Sequence, residues 1–352
     1  MSAPSFDSML SCPAPLDHGD VVELAHGGGG RKTAALIERL FAPAFRNPHL
    51  APLADGAVVT VGGERLAFAT DSFVVRPAFF PGGDIGSLAV HGTVNDLAMC
   101  GAEPLFLSAG YVLEEGFPMR DLARVVESMA SACRAAGVLL VTGDTKVVDR
   151  GKGDGIYVNT SGIGRVRDGV DVGPHRAAPG DAVLVSGPIG DHGIAVMAAR
   201  EGIELETRLV SDSAPVVGLV RALLDAVPGT HVLRDPTRGG LATALCEVAV
   251  SSGVGIRIDE AEVPVRDEVR GACELLGFDP LYVACEGRFL AIVPAEAAEA
   301  ALAAVRSQPG GEAARRIGTV GADDPGRLVL RTRIGSHRLL ERLSGEQLPR
   351  IC

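Results

Sequence analysis

The chain has 352 residues, 47% hydrophobic and 22% charged, with no tryptophan and a formal net charge of −11. That balance is globular and long enough for two domains, while the acidity excludes a general nucleic-acid binder, which needs a basic surface. No run of about 18 uninterrupted apolar residues occurs, which excludes a membrane-spanning helix, and with 4% aromatics the core must be aliphatic.

Residues 1–16 are rich in proline and serine and predict a flexible extension. They lack the basic region and apolar run of a secretory signal, so the cytoplasm is the expected compartment. A strand is expected at 21–24. "HGGGGRKTAALIERLF" then sets four glycines and two basic residues ahead of Leu36, Ile37, Leu40 and Phe41 at helical spacing. Strands are predicted at 57–61 and 66–70. "GDIGSLAVHGTVNDLAMCG" reads as a buried helix and "PLFLSAGYVL" as a strand. Leu122, Val125, Val126, Met129 and Cys133 form one face of a helix ending at Gly137, and "VLLVTGD" and "GIYVNTSGIG" read as strands. "HRAAPGD" at 175–181 marks a domain boundary. Beyond it come "AVLVSGPIGDHG" (strand, glycine loop, helix) and "HVLRDPTRGGLATALCEVAV" (strand end into helix). "GIRID", "LYVACEGRFLAIV", an alanine-rich helix from 295, "RRIGTV" and "RLVLRT" complete the second half, with Glu286 in a tight hairpin between apolar strands. The polar stretch 335–352 reads as a mobile tail. The expected architecture is mixed α/β in two domains, 17–174 and 175–334.

Seven cysteines occur without a C-x-x-C pair, so no zinc or redox site is indicated. Cys133 and Cys246 fall in amphipathic helical patterns and read as small core residues. Cys352 is the last residue, where a thiol is expected to be exposed and useless for packing. It stands out as a group held for chemistry.

The glycine loop Gly27, Gly28, Gly29, Gly30 and Arg31 precedes a helix, where backbone NH groups favour phosphate. It is not a P-loop, since Arg31 stands where lysine is required, and a plain linker reads equally well. Asp55, Asp71, Asp144, Asp191 and Asp235 lie at strand ends or glycine turns. Singly such residues are usually caps. Together they suit a magnesium–nucleotide site, because Mg²⁺ takes a few carboxylates plus phosphate oxygens. Asp96 continues the apolar stripe of Ile85, Leu88, Ala89 and Gly92, so its carboxylate must be paired or hold a cation. Lys146, two residues past Asp144, reads equally as a surface lysine or as a cation for a transferring phosphoryl group. From its own context Glu286 reads as a solvated hairpin residue.

The motifs "HGGGGRKT", "ATDSFVV", "FFPGGDIGSLAVHGTVNDLAMCGAEP", "VTGDTKVV", "LVSGPIGDHG", "LRDPTRGGL", "ACEGR" and the ending "PRIC" resemble the HypE family, the carbamoyl dehydratases of nickel–iron hydrogenase maturation. The likeness runs from about Asp17 to Cys352. The middle motifs are shared with aminoimidazole ribonucleotide synthetases, thiamine-monophosphate kinases and selenophosphate synthetases; the ending "PRIC" distinguishes HypE. The resemblance implies a two-domain fold whose N-terminal domains pair into a shared β-barrel in a homodimer. It implies that Cys352 is carbamoylated by the carbamoyltransferase HypF, that ATP drives dehydration to a thiocyanate, and that the cyano group passes to iron on the HypC–HypD complex. By the same resemblance Asp55, Asp71, Asp96 and Asp144 would bind Mg²⁺ and ATP, and Lys146 would sit at the phosphoryl end. Glu286 would be the general base, the loop 27–31 would cover the phosphates or guide the tail, and Thr237, Arg238 and Gly239 would line the channel. The alternative is a small-molecule kinase or synthetase of the same superfamily, indifferent to loss of Cys352.

Overall fold

The computed structural model describes residues 21–203, 209–344 and 350–352; the extension 1–16 and Cys12 lie outside them. The strand expected at 21–24 does not form. Val21, Val22 and Leu24 are exposed, and a 3-10 turn Leu24–His26 leads into the glycine loop. The helical run after the loop is broken: α1 (Arg31–Leu36), a π turn Ile37–Phe41, and α2 (Ala42–Ala44) with its proline.

The N-terminal domain is built on β1 (Ala57–Val61), β2 (Glu64–Phe73), β5 (Ala102–Glu114), β6 (Leu139–Val148) and β7 (Ile156–Val166). Their order is β1-β2-β7-β5-β6, antiparallel except for the β5–β6 pair, which is parallel. A small hairpin of β3 (Phe79–Phe80) and β4 (Gly83–Asp84) precedes α3 (Ile85–Met99), and α4 (Met119–Ala136) links β5 to β6. Asp84 caps α3 by accepting from the Gly86 and Ser87 amides at 2.7 and 3.1 Å. Helix α3 is buried on almost all sides, as apolar residues spread around its whole circumference require. It rests on β2, β5 and β7, with α4 beside it.

The other face of this sheet is open, and β6 is an exposed edge strand. Register aligns two rows across that face. Phe68, Ile163, Phe106 and Leu139 form an exposed apolar row, and Ser72, Asn159, Gly110 and Asp144 form a polar one.

The C-terminal domain comprises β8 (Ala182–Val185), α5 (Asp191–Glu201), α6 (Val217–Ala226), β9 (Val232–Arg234), α7 (Gly240–Ser252), β10 (Gly255–Asp259), α8 (Asp267–Leu276), β11 (Leu290–Val293), α9 (Ala298–Arg306), β12 (Arg315–Gly321), β13 (Leu328–Arg331) and β14 (His337–Leu340). Its sheet runs β14-β13-β10-β12-β8-β11-β9. Helices α6 and α8 were not foreseen. Two expectations change here. The stretch around Glu286 is a 3-10 turn Pro280–Tyr282 and an irregular segment, with strand only from Leu290, so no hairpin presents Glu286 to solvent. The segment expected to be a tail from Gly335 contains β14, which pairs with β13 and buries Leu340. Residues 345–349 lie outside the described residues.

One hydrophobic core spans both domains. It joins α3 and α4 of the first to α6, α9 and part of α5 of the second, and it includes Ile351 and Cys352.

Candidate active site

Asp55, Asp96 and Asp235 converge at the domain boundary, their ligand atoms all within 4.8 Å of one another. Asp55 precedes β1, Asp96 lies on α3, and Asp235 directly follows β9. Burial is the largest influence on each and raises all three carboxyls. Asp96 is pushed well above the usual range, with Asp235, Asp55 and Asp71 adding repulsion. Asp235 is pushed up to about 8 by burial, then by Asp55. Arg234 opposes this: it pairs with Asp55 and reaches Glu247 at 2.7 Å. One guanidinium shared with Glu247 leaves three carboxylates under-compensated, which is the donor set a hard divalent cation takes. Asp71 sits beside the cluster at the end of β2. Its carboxylate lies 3.8 Å from Arg238 and accepts from the Ser72 amide at 2.7 Å.

Asp144 is not brought to this cluster. It is exposed on the edge strand β6 and paired with Lys146 at 2.6 Å, and that pairing lowers its carboxyl. The reason is topological: β6 is at the far edge of the sheet from β2. Both residues line an open cleft with Ser72, Val74, Tyr157 and Asn159. Asp235 takes the place in the cluster that sequence reasoning gave to Asp144; its signal was the acidic residue at the end of "HVLR". Asp191 is elsewhere, at the start of α5, held by Arg266 at 2.9 Å.

The structure reverses the expectation for Cys352. The residue is 8% exposed, and burial pushes its thiol far up, with Arg238 opposing and Glu286, Asp71 and Asp235 reinforcing. Residues 350–352 lie along the chain after β2: the Val74 amide donates to a main-chain oxygen of Cys352 at 2.9 Å and the Arg76 amide to the Arg350 carbonyl at 3.2 Å. Arg350 pairs with Asp154 and donates to the Val74 carbonyl at 3.1 Å. A segment that satisfies its backbone groups in this way is seated, and apolar Ile351 adds burial.

Cys352 lines a cavity of about 140 Å³ with Gly27, Gly28, Ser72, Arg238 and Gly239. The glycine loop therefore covers this segment. Gly29, at φ +77°, passes so close to Arg238 that a Cβ there would stand 2.6 Å from the Arg238 Cβ. Arg31 is committed to Glu341, and its amide to the Leu343 carbonyl. Arg238 donates to the Gly27 carbonyl at 3.3 Å, and the Thr237 carbonyl accepts from the Gly240 amide at 2.9 Å in the turn that opens α7.

Glu286 is 3% exposed, and its Oε1 has no hydrogen-bond partner. Burial drives its carboxyl well above the usual range, with Asp235, Asp71 and Asp212 reinforcing and Arg238 opposing. Its backbone is clamped: the amide donates to Asp212 Oδ1 at 3.1 Å, and its carbonyl accepts from Asn95 Nδ2 at 3.2 Å. A buried carboxyl with a free oxygen and a raised affinity for protons is suited to proton transfer.

Family models agree with this architecture. The AIR synthase related protein N-terminal domain matches residues 53–166 and the corresponding C-terminal domain matches 178–331. Carbamoyl dehydratase HypE of Azotobacter vinelandii is 55% identical over 331 residues, covering 94% of this chain and 97% of the relative. Among solved structures, a HypE–HypF complex superposes with a TM-score of 0.84 at 48% identity, covering 88% of this chain and 100% of that one. HypE in complex with ATP gives a TM-score of 0.80 at 50% identity, covering 94% and 100%. The chain thus belongs to the AIR synthase related family and, within it, to the HypE carbamoyl dehydratases.

Proposed function

We propose that this chain dehydrates its own S-carbamoylated Cys352 to a thiocyanate at the expense of ATP, supplying the cyano group for a hydrogenase iron. The observation that carries the reading is the seating of Cys352 under the glycine loop, in the same electrostatic neighbourhood as Arg238 and the orphaned carboxyl of Glu286. A solved relative holds ATP, and the site is acidic where Mg²⁺ would sit and glycine-lined where phosphate would lie.

ATP, when bound with Mg²⁺, supplies the phosphoryl group that turns the carbamoyl oxygen into a phosphate leaving group. Asp55, Asp96 and Asp235, with Asp71 beside them, would hold Mg²⁺. Arg238 is the cation facing Cys352 and neutralises charge at the reacting carbon. The thiocarbamate loses two N–H protons: one is released to solvent as its oxygen takes up the phosphoryl group, and the ionised form of Glu286 takes the other as the C–O bond breaks and the C≡N bond completes, the oxygen leaving in inorganic phosphate. The 350–352 segment holds the thiocarbamate in register, so the reaction is intramolecular. Lys146 lines a cleft that shares Ser72 and Val74 with the Cys352 cavity, and we assign it to the phosphoryl end.

HypF is the expected carbamoyl donor, because a relative is solved with it, and the HypC–HypD complex is the expected acceptor. The open apolar row Phe68–Ile163–Phe106–Leu139 supports a homodimer formed through the N-terminal sheets, since such a row on an exposed sheet face favours association. The six described cysteines are all free, which suits a reducing cytoplasm.

Intact-protein mass spectrometry tests the reading. Incubation with HypF, carbamoyl phosphate and ATP should add one carbamoyl group, and MgATP alone should then remove one water. Both changes should vanish in Cys352→Ala. ATP turnover that needs a diffusible substrate and survives Cys352→Ala would instead establish the small-molecule kinase.

A further inference from the structure

His192 lies in the "GPIGDHG" motif and takes no part in the aspartate cluster, yet it is 0% exposed and carries polar contacts on both ring nitrogens. Its Nε2 is 2.7 Å from the Ile351 carbonyl oxygen. A carbonyl only accepts, so Nε2 carries the proton. Nδ1 is 2.7 Å from Ser211 Oγ, which itself accepts from the Ser213 amide at 3.0 Å. The Ser211 hydroxyl proton is therefore directed to Nδ1, and the tautomer is set by a relay: Ser213 amide, Ser211 hydroxyl, imidazole, Ile351 carbonyl. The Phe80 ring meets the imidazole edge-on at 5.5 Å and closes the pocket. From the same helix, Arg200 donates to the Arg350 carbonyl at 2.5 Å.

We propose that His192, oriented by Ser211, is a positioning residue that latches the Cys352-bearing segment in the active site. This rests on the dehydratase reading above. Two features give the latch its character. It grips a main-chain carbonyl one residue before the cysteine, so thiol, thiocarbamate and thiocyanate forms all satisfy it equally. With the segment withdrawn, the Nε2 proton would lose its partner in a buried pocket, which favours the seated state. The relay also joins the general base: Asp212, between Ser211 and Ser213, accepts from the Glu286 amide.

The test is site-resolved maleimide labelling of the full chain, read by peptide mass spectrometry, alongside single-turnover dehydration of the carbamoylated protein. Losing one such hydrogen bond should raise Cys352 labelling in His192→Leu roughly three- to tenfold and slow dehydration. His192→Gln places an amide N–H near the Nε2 position and should return both toward wild type, with Ser211→Ala in between. Cys100, Cys133, Cys246, Cys273 and Cys285 should stay unlabelled, as they report on the fold and not on the latch. Wild-type labelling of Cys352 in both His192→Leu and Ser211→Ala overturns the proposal, and so does simultaneous opening of all these cysteines in both. If wild type shows the latch pattern but never loses water with MgATP, the latch stands and the dehydratase reading falls.

Discussion

Asp235→Asn removes the charge of one of the three clustered carboxylates. In the metal-free protein Asp235 is buried at the end of β9 with its carboxyl raised from an ordinary 3.8 to about 8. The charged and titratable groups around it include Asp55, Asp71, Asp96, Glu286, the Cys100 and Cys352 thiols and the guanidinium of Arg234. A carboxyl that binds its proton more tightly folded than unfolded makes the unfolded state the better acid. Stability is then full below about pH 4, falls as pH rises, and levels off above about pH 8. At about 1.4 kcal/mol per pH unit, ionising Asp235 opposes folding by roughly 4 kcal/mol at neutral pH. Its neighbours carry part of the same repulsion, so Asp235→Asn should recover roughly 1–4 kcal/mol at pH 7. Urea unfolding in EDTA at pH 5 and pH 8 measures it. The variant should be the more stable at pH 8, with the gap narrowing at pH 5. Wild type but not the variant should gain stability on adding MgATP, by mass action. A variant less stable than wild type at pH 8 without metal would refute the charge-deficit argument, and with it the reason for placing Mg²⁺ there.

Three further outcomes are expected. Glu286→Gln should accept the carbamoyl group from HypF normally but lose dehydration by at least about a hundredfold, the usual size of a general-base contribution; mass spectrometry separates the two steps. Gly240→Ala should lower stability by roughly 2–5 kcal/mol, because φ is +62° and the new methyl would stand 2.7 Å from the Leu281 carbonyl oxygen; thermal unfolding reports it, and a shift under about 2 °C would contradict the strain argument. Phe106→Glu, in the middle of the open apolar row, should convert a dimer into a soluble monomer by light scattering; an unchanged dimer would place the interface elsewhere.

Most of the elements were legible because their signals are local. The mostly apolar run of α3, the glycine ending α4 and the Val- and Ala-rich strands each encode their conformation locally. So was the chemistry carried by residue type: a terminal cysteine, a carboxylate in an apolar helix, and glycines before a basic pair. Failures came where local pattern and environment part company. "LYVACEGRFLAIV" reads as a hairpin, yet its first half is irregular and Glu286 is buried, because Asn95 of α3 and Asp212 satisfy its backbone in place of a strand partner. The last residues are polar enough to read as a free tail, yet the sheet edge at β13 captures β14, and the chain after β2 captures residues 350–352. Which acidic residues meet was also undecidable from spacing. Asp235 and Asp144 both read as strand ends in the sequence, but Asp235 follows β9 at the domain boundary and Asp144 lies within β6 at an open edge, so only the former joins Asp55 and Asp96. The sequence alone determined most of the local elements, the two-domain plan and the inventory of reactive groups. The tertiary structure alone decided which of those groups meet and which are dry, because proximity and desolvation are properties of segments far apart in the chain.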